Sequence, residues 1–149
     1  MSRIFPSLAA AGAGLLLLVA AGCSSTPAVP REIAGMQWML ETDSLAVPPN
    51  TVMPEQPVTL LIDDGKVSGN AGVNRYFGPV RVVPSSGTIE FGVLGVTRMA
   101  GPALAFEQHY LKMLESVESY SVTPENRLLF RSGEQVVAEY SLQDGAMQR

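Results

Sequence analysis

Two stretches of the chain concentrate side chains that can recognise a ligand by hydrogen bonding. The first, Val67-Ser68-Gly69-Asn70-Ala71-Gly72-Val73-Asn74-Arg75-Tyr76-Phe77-Gly78, holds three glycines, two asparagines and an arginine beside two aromatic residues. The second, Gly95-Val96-Thr97-Arg98-Met99-Ala100-Gly101-Pro102, follows later in the chain. Arginine supplies charged donors, asparagine both donors and acceptors, and threonine and tyrosine a hydroxyl. Asn70, Asn74, Arg75, Tyr76, Thr97 and Arg98 are therefore the candidate binding surface. The alternative is that both loops only shape corners of a sheet. Gly72 and Gly78 can take positive φ, and asparagine side chains close loops on their own backbone.

Templates for catalysis are missing. There is no Gly-Lys-Ser/Thr phosphate loop, Gly69-Asn70-Ala71-Gly72 does not match a dinucleotide fingerprint, and no serine sits in a Gly-x-Ser-x-Gly elbow. Asp63 and Asp64 are adjacent, so on a strand they face opposite ways, and they read better as the opening of a tight turn. His109 follows Glu107 by two positions, which on a helix puts them on different faces. An enzyme would need a cluster such as Glu107, Arg98 and Asn74 to converge in one cleft. With one Cys, Cys23, and one His, His109, an internal disulfide and the common transition-metal sites are out of reach. No enzymatic reaction, metal or cofactor is expected.

Composition narrows the classes further. The 149 residues are 46% hydrophobic and 16% charged, which is not the signature of a disordered chain. A net charge of −4 with singly scattered Lys and Arg leaves no electrostatic footprint for nucleic acid.

The N-terminus carries an appendage. Met1-Ser2-Arg3 is followed by an apolar run from Leu8 to Gly22, shorter than the roughly 20 residues a membrane span takes. A basic start, a brief apolar stretch and small residues at the end describe a secretory signal peptide. Its end, Val19-Ala20-Ala21-Gly22-Cys23, is similar to the lipobox of bacterial lipoproteins, in which the Cys is acylated with palmitate-type chains. Several such chains together anchor firmly, whereas one alone anchors marginally. Ordinary cleavage after Ala21 is the alternative. Ser24, not Asp, follows the Cys, so by resemblance to the sorting rule the expected address is the outer membrane, facing the periplasm. The expected organisation is a signal peptide over 1–22, a lipidated tether over 23–32 and one domain over 33–149.

The domain reads as mainly β. Gly35 to Glu41, Val58 to Asp63, Lys66 to Ser68, Val80 to Val83, Thr88 to Phe91, Ser119 to Val122, Arg127 to Arg131 and Gln135 to Leu142 are expected strands. Asp64-Gly65 is a hairpin turn signal, and Gly69 to Gly78 reads as a loop. From Pro102 to about Glu118, Phe106, Tyr110, Met113 and Val117 recur at helical spacing, widened by Leu104, Leu111 and Leu114. Glu107 lies early enough to favour the positive end of the helix dipole. One helix among short strands predicts a small curved antiparallel sheet or partly closed β-barrel with one long amphipathic helix packed against it.

The two loops also carry a family resemblance. Trp38-Met39-Leu40, Ser68-Gly69-Asn70-Ala71-Gly72, Asn74-Arg75-Tyr76-Phe77-Gly78, Thr97-Arg98-Met99-Ala100 and Glu107 stand in the order and spacing of the META domain (HslJ-like) family of bacterial envelope lipoproteins. The resemblance spans about Ile33 to Leu142. It implies a small antiparallel, barrel-like sheet with a helix, a place in the envelope and a link to stress or antibiotic tolerance, with no established reaction. Many members have a Cys pair where this chain has Val73 and Gly101. The resemblance implies that these two positions lie close enough for a bridge.

The leading expectation is a non-enzymatic, lipid-anchored module that contacts another envelope component. The second is a carrier of a small molecule or lipid, with an apolar interior under the helix. Expected partners are thus the membrane, through the anchor, and an envelope protein or a small apolar ligand.

Overall fold

The computed structural model describes residues 29–143. The expected signal peptide, Cys23 and most of the tether lie outside the described residues. Strands form where apolar residues alternate with polar ones: β1 (Gln37–Leu40), β2 (Thr59–Asp63), β3 (Lys66–Asn70), β4 (Arg75–Val83), β5 (Thr88–Phe91), β6 (Gly95–Val96), β7 (Ser119–Val122), β8 (Arg127–Ser132) and β9 (Gln135–Leu142). The single described α-helix is α1 (Leu104–Glu115), and a 3-10 turn covers Thr42–Ser44. That helix is not long and apolar enough to cross a membrane.

The strands are ordered β3-β2-β1-β9-β8-β7-β5-β4, every pair antiparallel, and β3 pairs with β4 to complete the ring. The expected mainly β fold with one packed helix forms, and the curved sheet or partly closed barrel read from the sequence is a closed barrel. Its closing strand is β4, whose first half pairs with β3 through Arg75 to Pro79 while Val80 to Val83 pair with β5. A long strand that serves two neighbours in turn leaves no open edge between them.

That strand runs through the segment expected to be a loop. Only residues 71–74 turn; β3 continues to Asn70 and β4 begins at Arg75. The glycine at position 69 is a matter of space, not of turning: a Cβ there would collide with the Thr59 carbonyl oxygen and lie 2.9 Å from the Tyr76 ring. The Asp64-Gly65 turn forms as expected, with φ of 45° and 70°.

Between β5 and β6 the chain keeps to the same side of β4. Phe91 pairs with Val80 and Gly95 with Phe77, so Gly92, Val93 and Leu94 face only Gly78 and Pro79. This bulge pushes Val93 outward to 92% exposure. α1 starts later and stops sooner than its apolar stripe suggests, and Val117 packs into the core beyond its end. Phe106, Tyr110, Met113 and Leu114 point into the barrel, where they meet Trp38, Tyr76, Phe130 and Tyr140. Phe130 lies edge-on to both Phe91 and Tyr140, with ring centres 5.5 and 5.2 Å apart.

Candidate functional site

Alternation from the β3–β4 turn into β4 divides the expected binding residues between the inside and the outside of the barrel. Asn74 and Tyr76 point inward and are 2% and 1% exposed. Arg75 and Phe77 point outward. Asn70 is half-buried at the end of β3, and Thr97 and Arg98 are exposed after β6. Four of the six, Asn70, Arg75, Tyr76 and Thr97, line one groove on the outer wall, whereas Asn74 and Arg98 do not.

The inward group is a polar knot. Asn74 Nδ2 donates to Glu107 Oε1 at 2.9 Å and to the Met99 carbonyl at 3.1 Å. Its Oδ1 accepts from the Met99 N–H at 2.7 Å and from the Thr97 hydroxyl at 2.9 Å. Those four bonds are the full capacity of a primary amide. Glu107, only 4% exposed, accepts through Oε2 from the backbone N–H of Asn74 at 2.6 Å and of Val73 at 3.2 Å. Asn70 Oδ1 accepts from the Gly72 N–H at 2.7 Å, closing the turn. The knot thus ties the β3–β4 turn, the segment after β6 and the first turn of α1.

Glu107 and Asn74 meet as an enzyme reading required, but their hydrogen bonds go to loop backbone and to each other, and Arg98 is no partner in the knot. Among the described residues no cluster of three His, Cys, Asp or Glu could hold a metal ion. Beside the knot, a Cβ placed on Gly101 would lie 3.5 Å from the Val73 Cβ and 2.8 Å from its Cγ1. That separation is within the roughly 3.5–4.5 Å of disulfide-linked residues, so the two positions are as close as the family resemblance implies. Val73 fills the space that a second side chain would need, which is why glycine suits position 101.

Deeper in the barrel a chain of phenols replaces an all-apolar core. Tyr140 Oη donates to Tyr110 Oη at 3.2 Å, Tyr110 and Tyr76 hydroxyls lie 2.9 Å apart, and Tyr76 donates to the Thr59 carbonyl at 2.9 Å. The Gly69 backbone leaves room for that carbonyl to turn inward. Burial, and then the neighbouring phenol, hold Tyr76 and Tyr110 well above the ordinary tyrosine value; burial does the same for Tyr140. All three are neutral hydrogen-bonding groups at physiological pH.

The outward group belongs to a groove of about 640 Å³ on the wall made by β1, β2, β3, β4 and β6. Strand register builds it in two rows. Gln37 pairs with Leu61, Leu61 with Ser68, Ser68 with Phe77, and Phe77 with Gly95. The next row runs from Thr59 through Asn70 and Arg75 to Thr97, whose hydroxyl accepts from the Arg75 N–H at 3.1 Å. Sequence reading missed Gln37, Ser68, Phe77 and Gln143 here. The signal available was period two: Gln37 and Ser68 each adjoin an inward residue, Trp38 and Val67.

A second groove, of about 330 Å³, lies between α1 and β9 and is lined by Leu45, His109, Lys112, Met113 and Val136 among others. His109 is half-buried at its side. This groove lies outside the helix, whereas the inward side chains of the helix belong to the buried core.

The family described as META domain matches residues 31–144. A solution structure of a protein from Burkholderia xenovorans is similar at 24% identity and a TM-score of 0.57, over 75% of this chain and 84% of the other. A crystal structure of a DUF4847 family protein from Bacteroides vulgatus is similar at 13% identity and a TM-score of 0.53, over 73% and 93% of the two chains. No curated protein matches. At these identities the two structures speak to the fold alone.

Proposed function

The chain belongs to the META domain family, and we propose that it is a non-enzymatic, lipid-anchored contact module of the outer membrane, facing the periplasm. Acylated Cys23 holds it to the membrane, and the outer wall of β1 to β4 and β6 meets another envelope component. The lipobox-like sequence before Cys23 supports the anchor. The observation that carries the contact reading is the division along β4. The polar groups facing inward are spent on the fold, while Arg75 and Phe77 on the same strand face solvent, Phe77 at 59% exposure. A link to stress or antibiotic tolerance would follow from loss of that contact.

A photo-crosslinking residue at Phe77 tests the contact in cells, with one at exposed Glu134 as the control. The expected result is one reproducible adduct from position 77 and none from position 134. Equal labelling from both, or none from either, contradicts the reading. Cys23→Ala should leave the membrane fraction; if it stays, the anchor is wrong.

A carrier is the second reading, favoured by the groove of about 330 Å³ and its adaptable Met113. Native mass spectrometry of the protein released from its own membrane tests it. A bound mass of lipid size supports a carrier, and a bare protein counts against one.

A further inference from the structure

The groove on the outer wall has a chemistry of its own. Its lining sets amides, hydroxyls and one guanidinium among the apolar Pro57, Leu61 and Phe77, and holds no carboxylate. Among the described residues, the side chains of Gln37, Ser68, Arg75 and Gln143 make no hydrogen bond, and Arg75 joins no ion pair. Asn70 spends its carbonyl on the Gly72 N–H, and its amino group has no partner among the described residues. Polar side chains that the fold does not use, set side by side on a rigid sheet, are preorganised to hydrogen-bond a ligand.

Phe77 adds the second element. A Cβ on Gly95 would lie 2.9 Å from the Phe77 ring, so the ring packs against the glycine. At 59% exposure it stays open to solvent beside Ser68, in the row that also contains Gln37. A flat aromatic face beside amides and hydroxyls matches a pyranose ring, which stacks its C–H face and presents hydroxyls at its rim. A lipid tail would leave these polar groups unpaired, which is costly. Arg75 lies one row away from Phe77 and suits a carboxylate by paired N–H donors. The chain's net charge of −4 repels a polyanion, so a single acidic group suits the site better than a run of them.

We propose that this groove binds a short saccharide bearing one carboxylate, with a sugar ring on Phe77, the carboxylate on Arg75 and hydroxyl or acetamido groups on Gln37, Ser68, Asn70 and Gln143. The volume of about 640 Å³ has room for more than one ring and falls within the roughly 300–1,000 Å³ of small-ligand sites. This assignment rests on the contact reading and names its chemistry: the envelope component is a glycan.

The test is a titration of the full-length protein in detergent, followed by amide chemical shifts. The probes are the N-acetylglucosamine–N-acetylmuramic acid disaccharide, which has one carboxylate, chitobiose as its neutral counterpart, and an acidic tetrapeptide. The disaccharide should shift the amides of Ser68, Asn70, Arg75 and Phe77 and bind about tenfold more tightly than chitobiose, a charge-assisted pair's margin. Arg75→Gln should erase that preference while sparing chitobiose. Phe77→Ala should weaken both saccharides, and Arg81→Gln, outside the groove, should change neither. No shift at these amides with either saccharide overturns the proposal. So does a preference that survives Arg75→Gln, or equally strong binding of the tetrapeptide. The crosslink from position 77 separates the two levels: if it holds while the saccharides fail, the chemistry falls and the contact reading stands.

Discussion

Asn74 and Arg75 are neighbours in sequence and opposites in role. Asn74 is buried with its amide saturated, whereas Arg75 is exposed with its guanidinium outside any ion pair among the described residues. The same contrast repeats one step on, with Tyr76 in the phenol chain and Phe77 over the groove. Polar residues in a glycine-rich motif are therefore no guide to binding by themselves. What decides is which face of the pleat they occupy, because a buried polar group must be paired inside and an exposed one need not be.

The sharpest break of the inner region is Glu107→Ala. It strands the N–H groups of Val73 and Asn74 and one donor of the Asn74 amide. Unsatisfied buried donors at that count should cost about 3–5 kcal/mol, read as a lower urea midpoint. Val73→Cys with Gly101→Cys works in the other direction. Where a Cβ on Gly101 falls 3.5 Å from that of Val73, the oxidised pair should add up to about 3–4 kcal/mol, lost again on reduction.

The phenol chain comes next. Tyr110→Phe removes the acceptor of the Tyr140 hydroxyl and should cost about 1–3 kcal/mol. Its partners also set a pH limit. The folded values of Tyr76, Tyr110 and Tyr140 are raised above the ordinary 10.0. Their stabilisation is thus complete below pH 10 and is lost as pH climbs toward the folded values. Alkaline titration of unfolding should show stability falling above pH 10, by about 1.4 kcal/mol per pH unit for each tyrosine. In Tyr110→Phe the fall should be shallower.

Much of this was legible in the sequence. Eight of the nine strands, the Asp64-Gly65 turn and the helix follow from local periodicity, whereas the two-residue β6 carries no such signal. The closed ring does not follow from periodicity either, because β3–β4 pairing runs through Gly69 and Gly78, residues that read as loop. Only packing explains them: the Thr59 carbonyl and the Tyr76 ring occupy the space where a Cβ on residue 69 would go. Glu107 was visible as a helix-dipole residue, yet its partners lie 33 and 34 positions away and no local pattern connects them. The groove was legible in part, since Asn70, Arg75, Tyr76 and Thr97 line it, whereas Gln37, Ser68 and Phe77 join them only through register.

Burial alternates from Asn74 in the turn to Phe77 on β4, and four single variants measured side by side test what that alternation does. Urea unfolding of Asn74→Ala, Arg75→Gln, Tyr76→Phe and Phe77→Ala should give an odd–even pattern. Asn74→Ala should lose the most, Tyr76→Phe about 1–3 kcal/mol as Tyr110 and the Thr59 carbonyl lose a partner, and the two outward variants should stay within about 0.5 kcal/mol. Equal losses at all four positions, or larger losses at 75 and 77 than at 74 and 76, would contradict the account.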